Sequence, residues 1–521
     1  MTQDLRRGIR STDPRHTKDQ ESTKARDRAW LWDLWLLFVF AAFGPVMAVV
    51  NNPESPNPST AFLVALVAFS VGLLARYILI RIGLEPRGAT YAVAASVYLA
   101  MNSGPLLGSF PRWAAVALIL VAGVLAYRLR NLRIFQFLAN WVCLALAFWP
   151  VVIVVGLLLD GHEVAEIGEP EAIPGFASKP DVVLVVVDGY ASEGVLAEFF
   201  DYDNSDVVEE LAAAETVVNP HMTSNYARTK FSVASFLELG YIPEGTEMTR
   251  GFEADLIQVM GGENRLTQAM EANGYRTVYL ESGWNGTRCS ASIEVCVPGP
   301  WPDETYYDIV YRSVFRDLPG LETGIAFSRG ADHSLKGMDD RLAGYLSDDV
   351  SDFVFVHILA PHPPFFLSAD CDMQPESDLS GFAVVTPGMG SDQADARRQA
   401  YIAQVECVNR YLTGAARRIA EAGAVGMFVG DHGSDQALQL FNHADAWTDE
   451  QRRERLGVFF AVHHTNCDYR IVSSLVNATR KLLSCLSGAQ LAPLPDRYFD
   501  LDRHVRTPEI VEIESPNHDD A

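Results

Sequence analysis

A backbone that crosses hydrocarbon must satisfy its hydrogen bonds within itself, so an apolar run of bilayer length is committed to a helix. The first 160 residues contain five such runs, at 31–51 (WLWDLWLLFVFAAFGPVMAVV), 60–83, 88–108, 112–128 and 135–159. They follow one another with no small-residue cleavage pattern, which argues against a removed leader. This divides the chain into a short tail (1–28), an all-α transmembrane domain of about five helices (29–160) and a remainder of different character.

Loop charge sets the expected orientation. Residues 1–28 carry eight Lys or Arg, and the second and fourth connections carry Arg76, Arg81, Arg87, Arg128, Arg130 and Arg133. The first connection, NNPESPNPST, has no basic residue, and the third has Arg112 at its edge. The positive-inside rule then puts the N-terminus in the cytoplasm of a multi-pass protein of the cell (plasma or inner) membrane, and everything after about residue 160 outside. Six of the seven cysteines fall on that outer side, an even number in an oxidising compartment, which predicts disulfides. Short separations favour Cys289–Cys296 and Cys467–Cys485, and the absence of a C-x₂-C spacing argues against a thiolate zinc cluster. The formal net charge of −25 speaks against a nucleic-acid partner.

Residues 161–180 carry three prolines and little periodicity, and read as a linker. From 181 to 486 apolar runs alternate with helical patterns. Strands are expected at 181–187, 276–280, 352–358, 425–430 and 457–463, and helices near 205–214, 230–239, 264–273, 393–421 and 470–485. Strands separated by helices predict an α/β fold with a doubly wound, largely parallel sheet. The proline-rich, acidic segment 487–521 is expected to be loosely packed or disordered.

Two of these strands stop on carboxylates: VVLVVVDGY ends in Asp188-Gly189, and VGMFVGDHG ends in Asp431-His432-Gly433. Alone, Asp-Gly is ordinary turn punctuation. Two such ends in one parallel sheet fall where ligands bind, beyond the carboxyl ends of the strands. Asp with His suits Zn²⁺ or Mn²⁺. In TSNYARTKFSVASFLELG, Thr229 stands before an amphipathic helix. It can be read as a helix cap, or as a nucleophile activated by a neighbouring divalent ion at a helix N-terminus. Tyr190 and Asn225 adjoin motif residues and are candidates to line the pocket; Arg228 and Lys230 flank Thr229, and Arg228 is a candidate phosphate contact.

The ordered set VVLVVVDGY, FFDYDNS, SNYARTKFSVASFLELGYI, HILAPHPPF and GDHG resembles the sulfatase-like branch of the alkaline phosphatase superfamily. Within it the chain resembles membrane-anchored bacterial lipoteichoic acid synthases and phosphoethanolamine transferases, over nearly its whole length. The resemblance implies an alkaline phosphatase-like fold and one divalent ion, with a second as the alternative, held by Asp188, Thr229, Asp431 and His432. It makes Thr229 the nucleophile and His362 a substrate contact, and it suggests a headgroup segment in ESGWNGTRC through Trp284, Asn285 and Arg288. It implies membrane lipids as partners, with a cell-envelope glycan or lipid as acceptor. The chain departs from sulfatases at Thr229-Lys230-Phe231-Ser232-Val233, which lacks the Pro and Arg of their C/S-x-P-x-R segment, and from lipoteichoic acid synthases by having Asp188 for Glu. His443 reads as a surface-loop residue, and His463 and His464 as structural ends of a strand. The activity expected is phosphotransfer; hydrolysis to water, a non-catalytic scaffold and a transporter are the alternatives.

Overall fold

The computed structural model describes residues 14–52, 57–103, 112–159, 167–168, 172–315, 324–347, 349–374, 391–436, 440, 442–464 and 467–516. They pack as two units, one built from residues up to 50, 58–156 and 309–316, the other from the remainder.

The first unit is helical: Pro14–Asn51, Pro58–Arg81, Pro86–Met101, Arg112–Leu129 and Arg133–Leu159. Proline opens several of these helices, where its missing N–H leaves no bond unmade. Glu85 caps the third by accepting from the amides of Arg87 and Gly88. Trp30–Asn51, Pro58–Arg81 and Arg133–Gly156 are long and apolar enough to cross a membrane, and Trp113–Leu129 is shorter. Helices thus stand at all five expected positions, but three of them meet the length and hydropathy of a span. The run expected at 88–108 is helical to Met101 and capped at Asn102, and residues 104–108 lie outside the described residues. The helix from Pro14 also takes in part of the expected tail. The third and fourth helices approach through small residues: a Cβ on Gly123 would lie 2.5 Å from Ser96 Oγ.

The second unit contains a seven-stranded sheet of order β2-β7-β6-β1-β5-β3-β4. Its strands are β1 Val182–Val187, β2 Val217–Val218, β3 Arg276–Leu280, β4 Val295–Val297, β5 Asp352–Ile358, β6 Val425–Gly430 and β7 Phe460–His463. β1 is the central strand, parallel to β5 (Val182↔Phe353) and β6 (Val182↔Val425); β7 is antiparallel to both neighbours. All six β1 side chains are buried, which explains a run without alternation: the sheet is covered on both faces. Val182, Leu184 and Val186 join one core with the helices Thr229–Leu237 and Leu475–Ser487. Val183, Val185 and Val187 join the other with the helix Ser391–Ala422. Each such burial contributes about 1.5–3 kcal/mol, enough to fix where β1 ends.

Several expectations change. The strand expected at 457–463 is shorter, with Gly457 and Val458 forming isolated bridges. The tail expected to be loosely packed instead forms a hairpin, β8 Tyr498–Asp502 and β9 Glu509–Ile513, with Phe499 and Ile510 fully buried. Part of the expected linker packs as well: the Gly168 amide donates to Tyr241 O and the Ala177 amide to Leu486 O. The disulfides are Cys289–Cys296, Cys371–Cys407 and Cys467–Cys485. Short separation had pointed to two of these; the third joins residues 36 apart through the fold.

Candidate active site

β1 and β6 are adjacent and parallel, so the residues just past their ends meet. The Gly189 amide donates to Asp431 Oδ1 at 2.9 Å, tying the two turns together. β5, on the other side of β1, leads into the segment that carries His362. Gln404, from the Ser391–Ala422 helix, pins that segment: its Oε1 accepts from the amides of Phe366 and Leu367, and its Nε2 donates to the carbonyls of Pro361 and His362. Tyr401, three residues earlier, donates to Gly189 O and accepts from the Ala191 amide.

Thr229 is the first residue of the Thr229–Leu237 helix, and the cap position belongs to Arg228. The hydroxyl is therefore not a cap. It faces Asp188 Oδ1 at 3.5 Å and His432 Nε2 at 3.2 Å, and it is part-exposed where Asp188, Asp431 and His432 are buried. His432 Nδ1 lies 2.9 Å from Gly433 O. A carbonyl only accepts, so Nδ1 carries the proton and Nε2 presents its lone pair to Thr229 and Asp188. His362 Nδ1 faces Pro363 O in the same way, leaving its Nε2 free as an acceptor.

The electrostatics favour a cation. Burial and the neighbouring Asp431 push the Asp188 carboxyl well up, while burial and the Arg455 guanidinium hold His432 well below the usual histidine range. Burial likewise lowers His362, and holds His357 down to about 4. Asp431 Oδ2 is buried without a hydrogen-bond partner among the described residues, 3.7 Å from His432 Nε2. Ligand atoms of Asp188, His362 and His432 all lie within 4.8 Å of one another. Two buried carboxylates with an orphaned oxygen, beside two imidazole lone pairs, are a donor set that fits Zn²⁺ or Mn²⁺. His362, expected as a substrate contact, thus also stands within the ligand cluster.

The remaining candidates sit elsewhere. Asn225 is buried, with its amide engaged by Arg497 O, the Tyr241 hydroxyl and the Val476 amide, so it braces the backbone instead of lining a pocket. Arg228 donates through Nε and Nη2 to the two carboxylate oxygens of Asp500 on β8, at 2.8 and 3.3 Å. Tyr190 is buried with its hydroxyl bonded to Asn409 and Asn204. Trp284 and Arg288 line a second cavity of about 410 Å³ with Glu281 and Asp303. Its link to Asp188 runs through His357, whose ring centroid is 5.6 Å from that of Trp284 and whose Nε2 is 3.8 Å from Asp188 Oδ2. His443 is exposed and stacks on His504 at 3.9 Å, as a surface-loop residue should. Sequence reasoning missed Arg397, Tyr401, Gln404 and Arg455. The available signal was polar side chains at i, i+4 and i+7 along one face of the Ser391–Ala422 helix.

No protein-family model matches the chain. No curated protein matches it either. Solved structures do. The chain is similar to phosphoethanolamine transferases and to sulfatase-like hydrolases. Lipooligosaccharide phosphoethanolamine transferase A from Neisseria meningitidis, an integral membrane protein, matches at 13% identity over 87% of this chain and 95% of that one, TM-score 0.39. The C-terminal periplasmic domain of EptC from Escherichia coli matches at 12% identity over 67% of this chain and 99% of that one, TM-score 0.40. The phosphonate monoester hydrolase of Agrobacterium radiobacter matches at 14% identity over 62% and 80%, TM-score 0.39.

Proposed function

We propose that the chain is a membrane-anchored, metal-dependent phosphotransferase of the sulfatase-like branch. It acts outside the membrane on lipid-linked phospho-headgroups, with Thr229 as nucleophile and a glycan or lipid of the cell envelope as acceptor. The observation that carries this reading is the placement of the Thr229 hydroxyl. It is part-exposed at a helix N-terminus and faces Asp188 and His432, where simple capping would turn it toward the helix amides. The apolar helices would cross the bilayer as five spans with the N-terminus in the cytoplasm, holding the site near outer-leaflet headgroups.

One Zn²⁺ or Mn²⁺ ion held among Asp188, Thr229, Asp431 and His432 would supply charge stabilisation to the Thr229 alkoxide and to the phosphoryl oxygens. The chain's own residues do the rest. Thr229 Oγ1 forms the bond to phosphorus as the ester bond to the lipid alcohol breaks, giving a phospho-threonine and a free lipid alcohol. With His432 Nε2 taken by the ion, the hydroxyl proton has Asp188 Oδ1 within reach at 3.5 Å, and it is this proton that the departing lipid alkoxide recovers to leave as the alcohol. Charge gathering on the phosphoryl oxygens faces the N-terminus of the Thr229–Leu237 helix. The lone pair of His362 Nε2 is placed to take the proton of the incoming acceptor hydroxyl as the phospho-threonine bond breaks.

The test uses full-length protein in detergent, wild type beside Thr229→Ala, incubated with outer-leaflet phospholipids. Intact mass should show a phospho-headgroup adduct on the wild type alone, and metal analysis about one ion in both. Chelation should abolish the adduct. An adduct on Thr229→Ala, or a wild type that binds no metal, would refute the reading. Turnover of simple phosphodiesters by wild type without transfer to any acceptor would favour hydrolysis.

A further inference from the structure

Arg397 lies on the Ser391–Ala422 helix and is 4% exposed, yet its Nε and Nη1 have no hydrogen-bond partner among the described residues. The guanidinium stands 5.5 Å from the centroid of the Phe365 ring, whose face offers no acceptor in the plane of those N–H groups. The carboxylates that act on it electrostatically are Asp435 and Glu454. Glu454 already accepts from the Ser434 hydroxyl and the Gln436 amide, and Asp435 from the Leu440 amide. A buried cation with unmet donors is unfavourable in the free protein, which asks what meets them. The side chain lines a cavity of about 190 Å³ whose wall also includes Gly189, His362, His432 and Arg455. Arg455 is itself buried and held by its Nε and Nη1 on the carbonyls of Ala227 and Gly433, so it is a fixed second positive charge.

We propose that this cavity is an anion subsite in which Arg397 holds a phosphoryl or carboxylate oxygen of the substrate. The inference rests on the phosphotransfer reading of Thr229 and extends it to substrate class. A headgroup with an anionic arm would be favoured in this cavity, and one with an ammonium arm would meet two like charges.

The test uses full-length protein in detergent, as wild type, Arg397→Met and Arg397→Lys. With metal chelated, inorganic phosphate should raise the Tm of the wild type. Arg397→Met should show no phosphate shift, and a phosphate-free Tm at or above that of wild type, because an unpaired buried charge has gone. If Arg397→Met does not accumulate, Arg397→Lys decides: it should need about tenfold more phosphate for the same shift, since one compact ammonium replaces a planar fork. An unchanged phosphate shift in either variant, or a phosphate-free Tm well below wild type for Arg397→Met, would overturn the proposal.

Metal-loaded protein is then assayed on p-nitrophenyl phosphodiesters whose second ester is carboxymethyl, ethyl or 2-aminoethyl. For wild type, kcat/KM should fall in that order by about tenfold overall, and in Arg397→Met, where Arg455 alone remains, the three should agree within about threefold. That outcome places a second anionic group in the cavity, whereas an equal loss on all three places the reacting phosphoryl there. Equal rates in wild type and variant would overturn the proposal. Failure of wild type on every diester would refute the transfer reading instead and leave the phosphate shift to decide for Arg397.

Discussion

Replacing Gly433 by Ala tests whether close backbone approach behind His432 is what makes the site. Gly433 is outside the left-handed region, so its backbone could accept Ala. The obstacle is space. A Cβ there would lie 2.1 Å from Glu454 O, 2.9 Å from Gly457 O and 3.1 Å from Arg455 O, all backbone atoms that cannot swing aside. Carbon–oxygen contacts relax to about 3.3 Å, so one segment must move by roughly 1 Å. That movement reaches the imidazole directly. The Gly433 amide donates to Arg455 O at 2.7 Å, and its carbonyl accepts from His432 Nδ1 and Arg455 Nη1, each at 2.9 Å. Overpacking of this kind destabilises by about 1–3 kcal/mol. Metal ligands hold to within about 0.2 Å of their distances, and loss of the support behind a ligating histidine weakens binding about 10–100-fold. A 1 Å misplacement lowers turnover about a hundredfold. Chelator competition for metal affinity, Tm and adduct rate on the full-length protein would measure all three. Gly414→Ala is the control. It lies inside the Ser391–Ala422 helix with Arg418 Nη1 the nearest atom at 3.8 Å, and should raise stability by about 0.5–1 kcal/mol. A Gly433→Ala protein with wild-type metal affinity and Tm would refute the reasoning.

Two further outcomes follow from other parts of the second unit. Burial pushes the Glu238 carboxyl up to about 7 despite Arg265 at 3.2 Å. The folded state therefore holds a proton that the unfolded chain releases near pH 4.3, and this group's contribution to stability should be full below about pH 4 and fall by about 3 kcal/mol as pH climbs to 7. Glu238→Gln should flatten that slope and raise Tm at pH 8; an unchanged pH profile of Tm would count against it. Asp500→Ala should lower stability by about 2 kcal/mol, since it removes a charge-assisted pair and leaves Arg228 without the carboxylate it shares. Asp500→Asn should recover part of the loss, and a Tm equal to wild type for Asp500→Ala would show that β8 does not anchor the Thr229–Leu237 helix.

What could be read in the chain were features whose cause is local. Val182–Val187 is aliphatic throughout because the strand is covered on both faces, and the carboxylates at its end and after β6 meet because parallel neighbours terminate on one side. Tertiary causes were not legible. The β8–β9 hairpin lies in an acidic, proline-rich stretch whose apolar residues, Phe499 and Leu501 among them, are too few to announce a strand until the partner β9 is in place. Polar residues along the Ser391–Ala422 helix look like a solvated face, since periodicity counts apolar positions and takes polar ones as exposed. Arg397, Tyr401 and Gln404 are nonetheless buried against the turns that carry the site. Adjacency in sequence misled in the opposite direction. Arg228 was a candidate because it flanks Thr229, and Asn225 because it adjoins a motif residue; Arg228 and Thr229 are successive residues and point to different sides, while the Asn225 amide is engaged by Arg497 O, the Tyr241 hydroxyl and the Val476 amide. The same backbone that presents the Thr229 hydroxyl therefore turns its neighbours toward Arg497 O and Asp500, where they hold the segment in place. Chain neighbours of Thr229 are thus its supports, and the cationic side chains that line the cavity beside His362 and His432, Arg397 and Arg455, come from elements far away in sequence.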